Sequence, residues 1–302
     1  MKHQIKLFYS EDWKDYELLD TGEGEKLERF GPYTFIRPYE EAVWPKTLKG
    51  EWQKADGKFW SSKVGAKAGW KINKNEQGES LLKKWGMEYK GIKFFASPTL
   101  FRHMGFFPEQ AAHWDFIETR LRNASAKQGK VKFLNLFGYT GVASLFALRA
   151  GAEVTHLDAS KQTLAWAKEN QKLNAGLAEA PMRVIEDDAI KFLEREEKRG
   201  NKYDCIIMDP PKFGRGPKGE VWKLEAMLPK LLLQAKKVLS EKPLFVILTS
   251  YATDSSSLTT GYALAEMMKE FDGKVEAGEL CVLEKSNSRV IPLSNTAVWT
   301  SS

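Results

Sequence analysis

The sequence predicts an α/β protein with a mostly parallel sheet, helices on both sheet faces and a small β domain ahead of it. Two observations lead to this fold class. After residue 105, short apolar runs alternate with stretches of helical periodicity, which is typical of a parallel sheet covered on both sides. Over the first hundred residues, short strand-like runs instead surround turns that contain Gly. We therefore expect two domains, 1–100 and 101–302.

The first hundred residues contain four strand signals. YELLDTGEGEKLERF predicts two strands around a Gly turn, and YTFIRPYEEAVW predicts a strand that stops at Pro38. WQKADGKFW predicts a hairpin centred on Asp56-Gly57. WKINKNEQGE predicts a further strand and turn. Together these signals indicate a small, largely antiparallel β domain.

The second domain begins with a helix and then alternates. Pro108 and the acidic residue after it mark the start of a helix over PEQAAHWDFIETRLRNASAKQ. Five strand–helix pairs follow, with strands predicted at VKFLNLF, EVTHLD, MRVIED, YDCIIMD and PLFVILTS. Ser160 is the expected N-cap of the second of these helices, and Pro229 should kink the fourth or shift its start. KVEAGELCVLEKS and RVIPLSNTAVWT predict a closing antiparallel hairpin at the sheet edge.

The composition argues against membrane proteins, disulfide-rich secreted proteins and metal-binding proteins. The chain has 302 residues, of which 42% are hydrophobic and 28% charged, as in ordinary soluble proteins. Neither a signal peptide nor an apolar run of membrane-spanning length is present, so we expect a cytoplasmic protein without membrane contact. The two cysteines have no zinc-type spacing and His is scarce, so we expect no metal and no disulfide framework.

The positive charge is concentrated in residues 44–102. This segment holds thirteen Lys or Arg against five Asp or Glu, and it also holds ten aromatic residues. Basic charge interleaved with aromatic rings is typical of a nucleic-acid-binding surface. The alternative is that the rings form the core of a small β unit while the lysines cover its solvated face.

Four predicted strands end in residues that could hold a ligand. NLFGYTG (135–141) offers two glycines before a helix N-terminus, although an ordinary strand–helix turn would look the same. Asp158 could accept both ribose hydroxyls or could be a helix-terminal acid. In EDDA (186–189), an acid could accept a hydrogen bond from the adenine amine or could cap a helix. Asp209 precedes two prolines in DPPKFGRGPKG, which hold it extended at a strand end.

In this order, the motifs resemble the class I S-adenosylmethionine-dependent methyltransferases, which have a Rossmann-like sheet. More narrowly, the chain is similar to the bacterial large-subunit (23S) ribosomal RNA methyltransferases of the cytosine-C5 and guanine-N7 branch. The shared stretches are GFFPEQ, LNLFGYTGVASLFALRAGA, LDAS, EDDA and MDPPKF. The resemblance covers about residues 100–300 and is slight over 1–90. It implies S-adenosylmethionine as cofactor and RNA, expected to be ribosomal, as substrate.

The resemblance also implies roles for residues. The cofactor-binding set is Phe107, Gln110, Asn135, Phe137, Gly138, Tyr139, Thr140, Gly141, Asp158, Ala159, Ser160, Asp187, Asp188 and Asp209. Asp158 would hold the ribose and Asp188 the adenine, with Asp187 as its substitute. The catalytic set is Asp209, Pro210, Pro211 and Phe213, where methyl donor and acceptor would meet. Lys212, Arg215 and Lys218 would contact RNA phosphates, or would be solvated charges on an idle loop.

One departure from the family pattern affects the chemistry. The cytosine-C5 enzymes carry a nucleophilic cysteine just after the fifth strand, where this chain reads LTSYA (248–252). Cys205 and Cys281 lie inside predicted strands and are expected to be core residues. We therefore expect direct transfer to a ring nitrogen or an exocyclic amine, without a covalent intermediate. A methyltransferase for a protein or small molecule, or a nucleotide-dependent oxidoreductase, are the competing predictions.

Overall fold

The computed structural model describes residues 4–61, 68–73, 83–251 and 255–302. These residues form two compact units. The larger unit comprises Met1–Phe8, Ala112–Cys281 and Pro292–Ser302, and the smaller unit comprises Tyr9–Ala111 and Val282–Ile291. The division is discontinuous, whereas the sequence predicts one boundary after residue 100.

Pairing between distant segments explains the discontinuity. The first strand, β1 (Lys6–Phe8), adds in parallel to residues 278–280 of the larger unit's sheet. In the smaller unit, the carboxylate of Glu284 accepts hydrogen bonds from Thr21 N at 2.7 Å and Thr21 Oγ1 at 2.5 Å. Such long-range contacts leave no compositional trace near residue 100, so a sequence reading cannot find them.

The smaller unit is built mainly from strands. Its elements are β2 (Tyr16–Gly22), β3 (Glu25–Phe30), β4 (Tyr33–Pro38), α1 (Lys49–Gln53), β5 (Gly57–Ser61), β6 (Ala68–Ile72), β7 (Trp85–Tyr89) and β8 (Ile92–Ala96). The first five of these strands form one sheet in chain order, and β7 pairs with β8. The β-rich character of this region and the strand end at Pro38 are as the sequence predicts.

The predicted Asp56-Gly57 hairpin is wrong. Lys49–Gln53 is helical, and Gly57 begins β5, which pairs in parallel with β4 and antiparallel with β6. Asp56 instead accepts a hydrogen bond from Thr34 N at 2.7 Å. A Cβ at Gly57 would lie 2.9 Å from the Phe35 ring, so this glycine serves close packing rather than a turn. The predicted turn after β6 falls on residues 74–82, outside the described residues.

The larger unit alternates strands and helices. After a 3₁₀ turn at Pro108–Gln110 come α2 (Ala111–Gln128), β9 (Lys132–Leu136), α3 (Val142–Arg149), β10 (Glu153–Asp158), α4 (Lys161–Lys172), β11 (Met182–Glu186), α5 (Ala189–Lys198), β12 (Cys205–Met208), β13 (Phe213–Arg215), β14 (Val221–Lys223), α6 (Leu224–Lys237), β15 (Phe245–Ser250), α7 (Ser257–Met268), β16 (Gly273–Leu283) and β17 (Val290–Ser301). The fourth predicted helix starts at Leu224, because the three residues before it form β14.

The main sheet has the order β1-β16-β17-β15-β12-β9-β10-β11. The pairs β11–β10, β10–β9, β9–β12 and β12–β15 are parallel, and β17 runs antiparallel to β15. This confirms the predicted mostly parallel sheet with antiparallel strands at one side, but β1, rather than the closing hairpin, forms the edge of the sheet. From β9 the chain proceeds to β10 and β11 on one side and returns to β12 on the other. In such sheets, ligands bind outside the carboxyl ends of the two strands at this switch point.

Apolar side chains cover both sheet faces. On one face, Leu134 and Ile206 belong to a core that also contains Phe192 of α5. On the other, Phe133 belongs to a core with Ile117 of α2. Neighbouring residues of β9 thus point to opposite faces, which explains why the strands read as continuous apolar runs. No helix among the described residues is both long and apolar enough to cross a membrane.

Candidate active site

The loop after β9 holds its backbone in an uncommon shape. Phe137 has φ 59° and Tyr139 has φ 52°, the left-handed region that side chains with a Cβ seldom adopt. Gly141, with φ 85°, is the N-cap of α3, a conformation that glycine adopts at little cost. Two strained residues within three positions at a strand end indicate a functional loop.

Position 138 requires glycine because the His156 ring leaves no room for a Cβ atom. A Cβ at this position would lie closer than 3.0 Å to the His156 ring. His156 is fully buried and its Nδ1 is 2.9 Å from Ser144 Oγ, which in turn accepts a hydrogen bond from Asn135 Nδ2 at 2.9 Å. Burial lowers the pKa of His156 to about 4, and nearby Asp158 offsets this only in part, so the ring is neutral at pH 7.

Asp158, at the end of β10, connects the loop to helix α4. Its Oδ2 accepts a hydrogen bond from Tyr139 N at 2.9 Å. Its Oδ1 accepts from Ser160 N at 2.9 Å and from Thr163 Oγ1 at 3.0 Å. A carboxylate offers about four acceptor positions, so Oδ2 retains one for an incoming hydroxyl. The contact of Asp158 with the ribose hydroxyls stays a prediction, and Oδ2 is the oxygen with fewer bonds within the protein.

The two acids at the end of β11 have different surroundings. Asp188 is the N-cap of α5, and its Oδ1 accepts a hydrogen bond from Lys191 N at 3.0 Å. Asp187 forms an ion pair with Arg195 and also accepts a hydrogen bond from Asp188 N. At the end of the neighbouring strand β10, Ala159 follows Asp158, and Ser160 is the N-cap of α4, as predicted. Asp187 is thus committed to the protein's own contacts, which makes Asp188 the better adenine candidate.

The DPP turn lies beside the glycine loop. Met208 of β12 pairs with Leu136 of β9, so the two chain segments leave the sheet at neighbouring positions. Asp209 N donates a hydrogen bond to Leu136 O at 3.4 Å. Pro210 is buried and Pro211 is exposed. The structure therefore brings Asp209 together with the loop residues at the switch point.

Trp222 is a site residue that the sequence analysis missed. Its Nε1 donates a hydrogen bond to Pro211 O at 2.6 Å, and its ring centroid lies 5.0 Å from that of Phe137. One indole thus supports both the DPP turn and the glycine loop. Trp222 lies within a stretch that reads as helix, so no local sequence signal distinguishes it.

The stretch after DPP is not a loop. Phe213, Gly214 and Arg215 form β13 and pair with the strand that contains Trp222, so 213–223 is a β-hairpin. Phe213 is 57% exposed, and Lys212, Arg215 and Lys218 are exposed as well. Of the predicted RNA-contacting cations, Arg215 and Lys218 therefore lie on this hairpin, and Lys212 directly precedes it.

Neither cysteine is placed for nucleophilic catalysis. Cys205 in β12 and Cys281 in β16 are 0% and 1% exposed, which confirms that they are core residues. Burial raises the pKa of Cys205 well above its usual range, so its thiol stays protonated. The end of β15 offers the buried hydroxyls of Thr249 and Ser250 instead. Among the described residues, no group of three His, Cys, Asp or Glu could hold a metal ion.

Comparison with known proteins gives the family. The model of a family described as conserved hypothetical protein 95 matches residues 115–276, more than half of the chain. A crystal structure of a SAM-dependent methyltransferase from Agrobacterium tumefaciens is 41% identical, covers 99% of this chain and 95% of its own, and superposes with a TM-score of 0.91. The chain belongs to the SAM-dependent methyltransferases.

This methyltransferase aligns with only part of the length of its curated relatives. The ribosomal RNA large subunit methyltransferase K/L of Desulfotalea psychrophila is 39% identical over 134 residues, which are 44% of this chain and 18% of that protein. The ribosomal RNA large subunit methyltransferase K of Neisseria meningitidis is 29% identical over 185 residues, which are 60% of this chain and 50% of that protein. The chain thus spans half or less of the length of these two relatives.

The remaining predicted contacts of the methyltransferase fall in the smaller unit. Phe107 precedes the 3₁₀ turn, which ends at Gln110, and their contact with a cofactor stays a prediction. In the 44–102 segment, the buried aromatic residues are Trp52, Phe59, Tyr89 and Phe94, and the largely exposed ones are Trp60 and Phe101. The core alternative is therefore right for the buried rings, and the exposed ones keep the nucleic-acid alternative open.

The buried His113 and His156 and the partly buried His103 are expected to make the stability of the methyltransferase depend on pH. Burial lowers the pKa of His103 and His113 to about 3 and that of His156 to about 4. Because these values lie below the unfolded value of about 6.5, the stabilisation is complete above pH 6.5 and is lost as the pH falls toward 4. As the pH falls from 6.5 toward its folded-state pKa, each such histidine should lower the free energy of unfolding by about 1.4 kcal/mol per pH unit.

Urea unfolding at pH 7.5 and pH 5.5 tests this expectation, because most carboxylates stay ionised across that range. The variant His156→Gln should show a weaker pH dependence than the parent protein. Equal pH dependence in the two proteins would mean that His156 is not neutral in the fold.

Proposed function

We propose that the protein transfers a methyl group from S-adenosylmethionine to a base of ribosomal RNA by direct displacement. The observation that carries the proposal is the convergence, at one switch point, of the glycine loop, Asp158 and Asp209. The names of the curated relatives support ribosomal RNA as the substrate class. A ribosomal RNA substrate agrees with the predicted cytoplasmic location. A protein or small-molecule substrate is not favoured.

The loop residues fit the two ends of the cofactor. Because Gly138 has no Cβ, the loop 135–141 can pack on the His156 ring, and in that position its backbone and the α3 N-terminus would hold the methionine half. The retained acceptor position on Asp158 Oδ2 suits a ribose hydroxyl. Asp188, whose Oδ1 caps α5, has Oδ2 to accept from the adenine amine. The bound cofactor supplies an electrophilic methyl group on its sulfonium.

Asp209 is the proposed catalytic residue. An ionised carboxylate only accepts hydrogen bonds, so it can orient a base through an N–H group or take its proton. Pro210 and Pro211 fix the direction in which Asp209 leaves β12. Since both cysteines are buried, the acceptor must itself carry a lone pair, as guanine ring nitrogens or exocyclic amines do. Rate enhancement comes mainly from aligning that lone pair with the methyl group.

Nucleoside analysis by mass spectrometry tests the proposal. Ribosomal RNA from a strain that lacks this gene should lose one methylated nucleoside, and the purified protein with S-adenosylmethionine should restore it. We expect methylguanosine rather than 5-methylcytidine to be the missing product. An unchanged nucleoside profile, together with tight S-adenosylhomocysteine binding, would move the substrate to the protein or small-molecule class.

A further inference from the structure

The hairpin of residues 213–223 has two unlike faces. Phe213 pairs with Lys223, Gly214 with Trp222, and Arg215 with Val221. Because side chains alternate along a strand, Gly214 and Trp222 share the inner face, where Trp222 is 5% exposed. The outer face is formed by Phe213, Arg215, Val221 and Lys223, and we call it the ribbon face.

The ribbon is held in place by contacts on its inner side and at its tip. Trp222 Nε1 is bonded to Pro211 O, and Gly216 N donates to Glu220 O at 2.8 Å. Glu220 also accepts a hydrogen bond from Lys191 of α5 at 2.5 Å. An ordered backbone lowers the conformational entropy that is lost when side chains on the ribbon face bind a partner.

The ribbon face combines exposed apolar area with positive charge. Phe213 is 57% exposed and Val221 is 52% exposed. Lys223 lies opposite Phe213 and Arg215 lies opposite Val221, and neither cation makes an ion pair within the described parts of the chain. Lys191, by contrast, forms an ion pair with Glu220. A ring and an aliphatic side chain, each opposite an available cation, match a partner that offers both flat bases and phosphates.

We propose that the ribbon face binds the single-stranded RNA segment that carries the target base, with Phe213 stacking on a base and Arg215 and Lys223 contacting phosphates. This inference rests on the proposed function. A single strand is favoured over a duplex because the flat faces of duplex bases are already stacked, whereas single-stranded bases are free to stack on aromatic side chains. The ribbon leaves the sheet directly after Asp209, so RNA on this face is led toward the DPP turn.

The stacking contact is tested by binding rather than by turnover. The probe is a mixed-sequence oligoribonucleotide of about 12 nucleotides, single-stranded or annealed to its complement, and fluorescence anisotropy gives Kd. Phe213→Ala should weaken single-strand binding by about 5- to 100-fold. Phe213→Trp should retain it. Tyr262→Ala is the matched control, because Tyr262 is an aromatic residue that is 50% exposed on α7.

The phosphate contacts are tested by salt dependence. For Arg215→Ala combined with Lys223→Ala, the slope of log K against log salt should become shallower by about 1.4. The matched control is Lys168→Ala combined with Lys172→Ala, which removes the same charge from exposed positions of α4. Circular dichroism and S-adenosylhomocysteine affinity establish that each variant is folded.

The outcomes separate this inference from the proposed function. Unchanged Kd and salt slope in folded ribbon variants overturn the inference, even if the protein methylates ribosomal RNA. An equal loss of duplex and single-strand binding in Phe213→Ala rejects the stacking contact. If ribbon variants lose RNA binding while no RNA is methylated by the parent protein, the surface stands and the proposed reaction fails.

Discussion

Replacing Asp209 by Ala is expected to lower kcat for methyl transfer by about 10²- to 10⁴-fold, the range for a positioned acid–base residue. The side chain follows β12 and lies beside the glycine loop, where the methyl group would be presented. Its removal leaves the acceptor base without the group that orients it or takes its proton. Radioactive methyl transfer to undermethylated ribosomal RNA measures the change.

Asp209→Asn is the matched variant, since it keeps an acceptor oxygen but adds an amide donor and removes the charge. If orientation alone matters, Asn should retain much of the rate; if proton acceptance matters, it should fail as Ala does. Because Asp209 is also in the predicted cofactor-binding set, titration of all three proteins with S-adenosylhomocysteine separates a loss of cofactor affinity from a loss of transfer. Intact cofactor binding with near-normal transfer in Asp209→Ala would remove Asp209 from the mechanism.

Gly138→Ala is expected to abolish useful cofactor binding and to destabilise the larger unit by about 1–3 kcal/mol or more. The new methyl group would overlap the His156 ring, which is fully buried and linked through Ser144 to Asn135. Either the loop or the ring must move, and both support the site. Isothermal titration with S-adenosylhomocysteine and urea unfolding measure the two effects.

Gly176→Ala provides the control, because a Cβ there would meet no atom within 4 Å. It should leave stability within about 1 kcal/mol and affinity unchanged. Adding His156→Ala to Gly138→Ala should make the double variant more stable than the sum of the single effects, because the clash is removed. Strict additivity would show that the predicted overlap is not what destabilises Gly138→Ala.

Much of the fold follows from the sequence. Five apolar strands separated by stretches of helical periodicity indicate a parallel sheet with both faces buried, which is what β9, β10, β11, β12 and β15 form. The prolines after Asp209 and the glycines before α3 mark the carboxyl ends of β12 and β9. These features are local, so one sequence is enough to locate them.

Other features depend on contacts that no local pattern encodes. Asp56-Gly57 looks like a hairpin turn, but packing of Phe35 on Gly57 makes it a strand start. DPPKFGRGPKG looks like a loop before a helix, yet Trp222 pairs across from Gly214 and turns it into a ribbon. At Asp56-Gly57 a contact with an aromatic side chain overrides the turn signal of glycine. In the second stretch Gly216 and Gly219 do form a turn, and it is the short strands on either side of the turn that the sequence does not indicate.

The candidate site shows the same limit. Asp158 could be located from its distance after the glycine loop, but its bonds to Tyr139 N, Ser160 N and Thr163 Oγ1 could not. Those bonds depend on how α4 packs beside the loop, and they occupy more of Oδ1 than of Oδ2. The sequence thus identifies Asp158, while only the fold shows which of its oxygens can still accept a hydrogen bond.

Hydrogen bonds with β10 and α4 hold the glycine loop. Gly138 N donates to Leu157 O at 2.8 Å, and Asn170 Nδ2 donates to Thr140 O at 2.9 Å. Folding therefore supplies the conformational free energy that keeps Phe137 and Tyr139 in left-handed conformations, and the cofactor does not have to supply it. A cofactor that meets such a preorganised loop loses less of its affinity to ordering the loop.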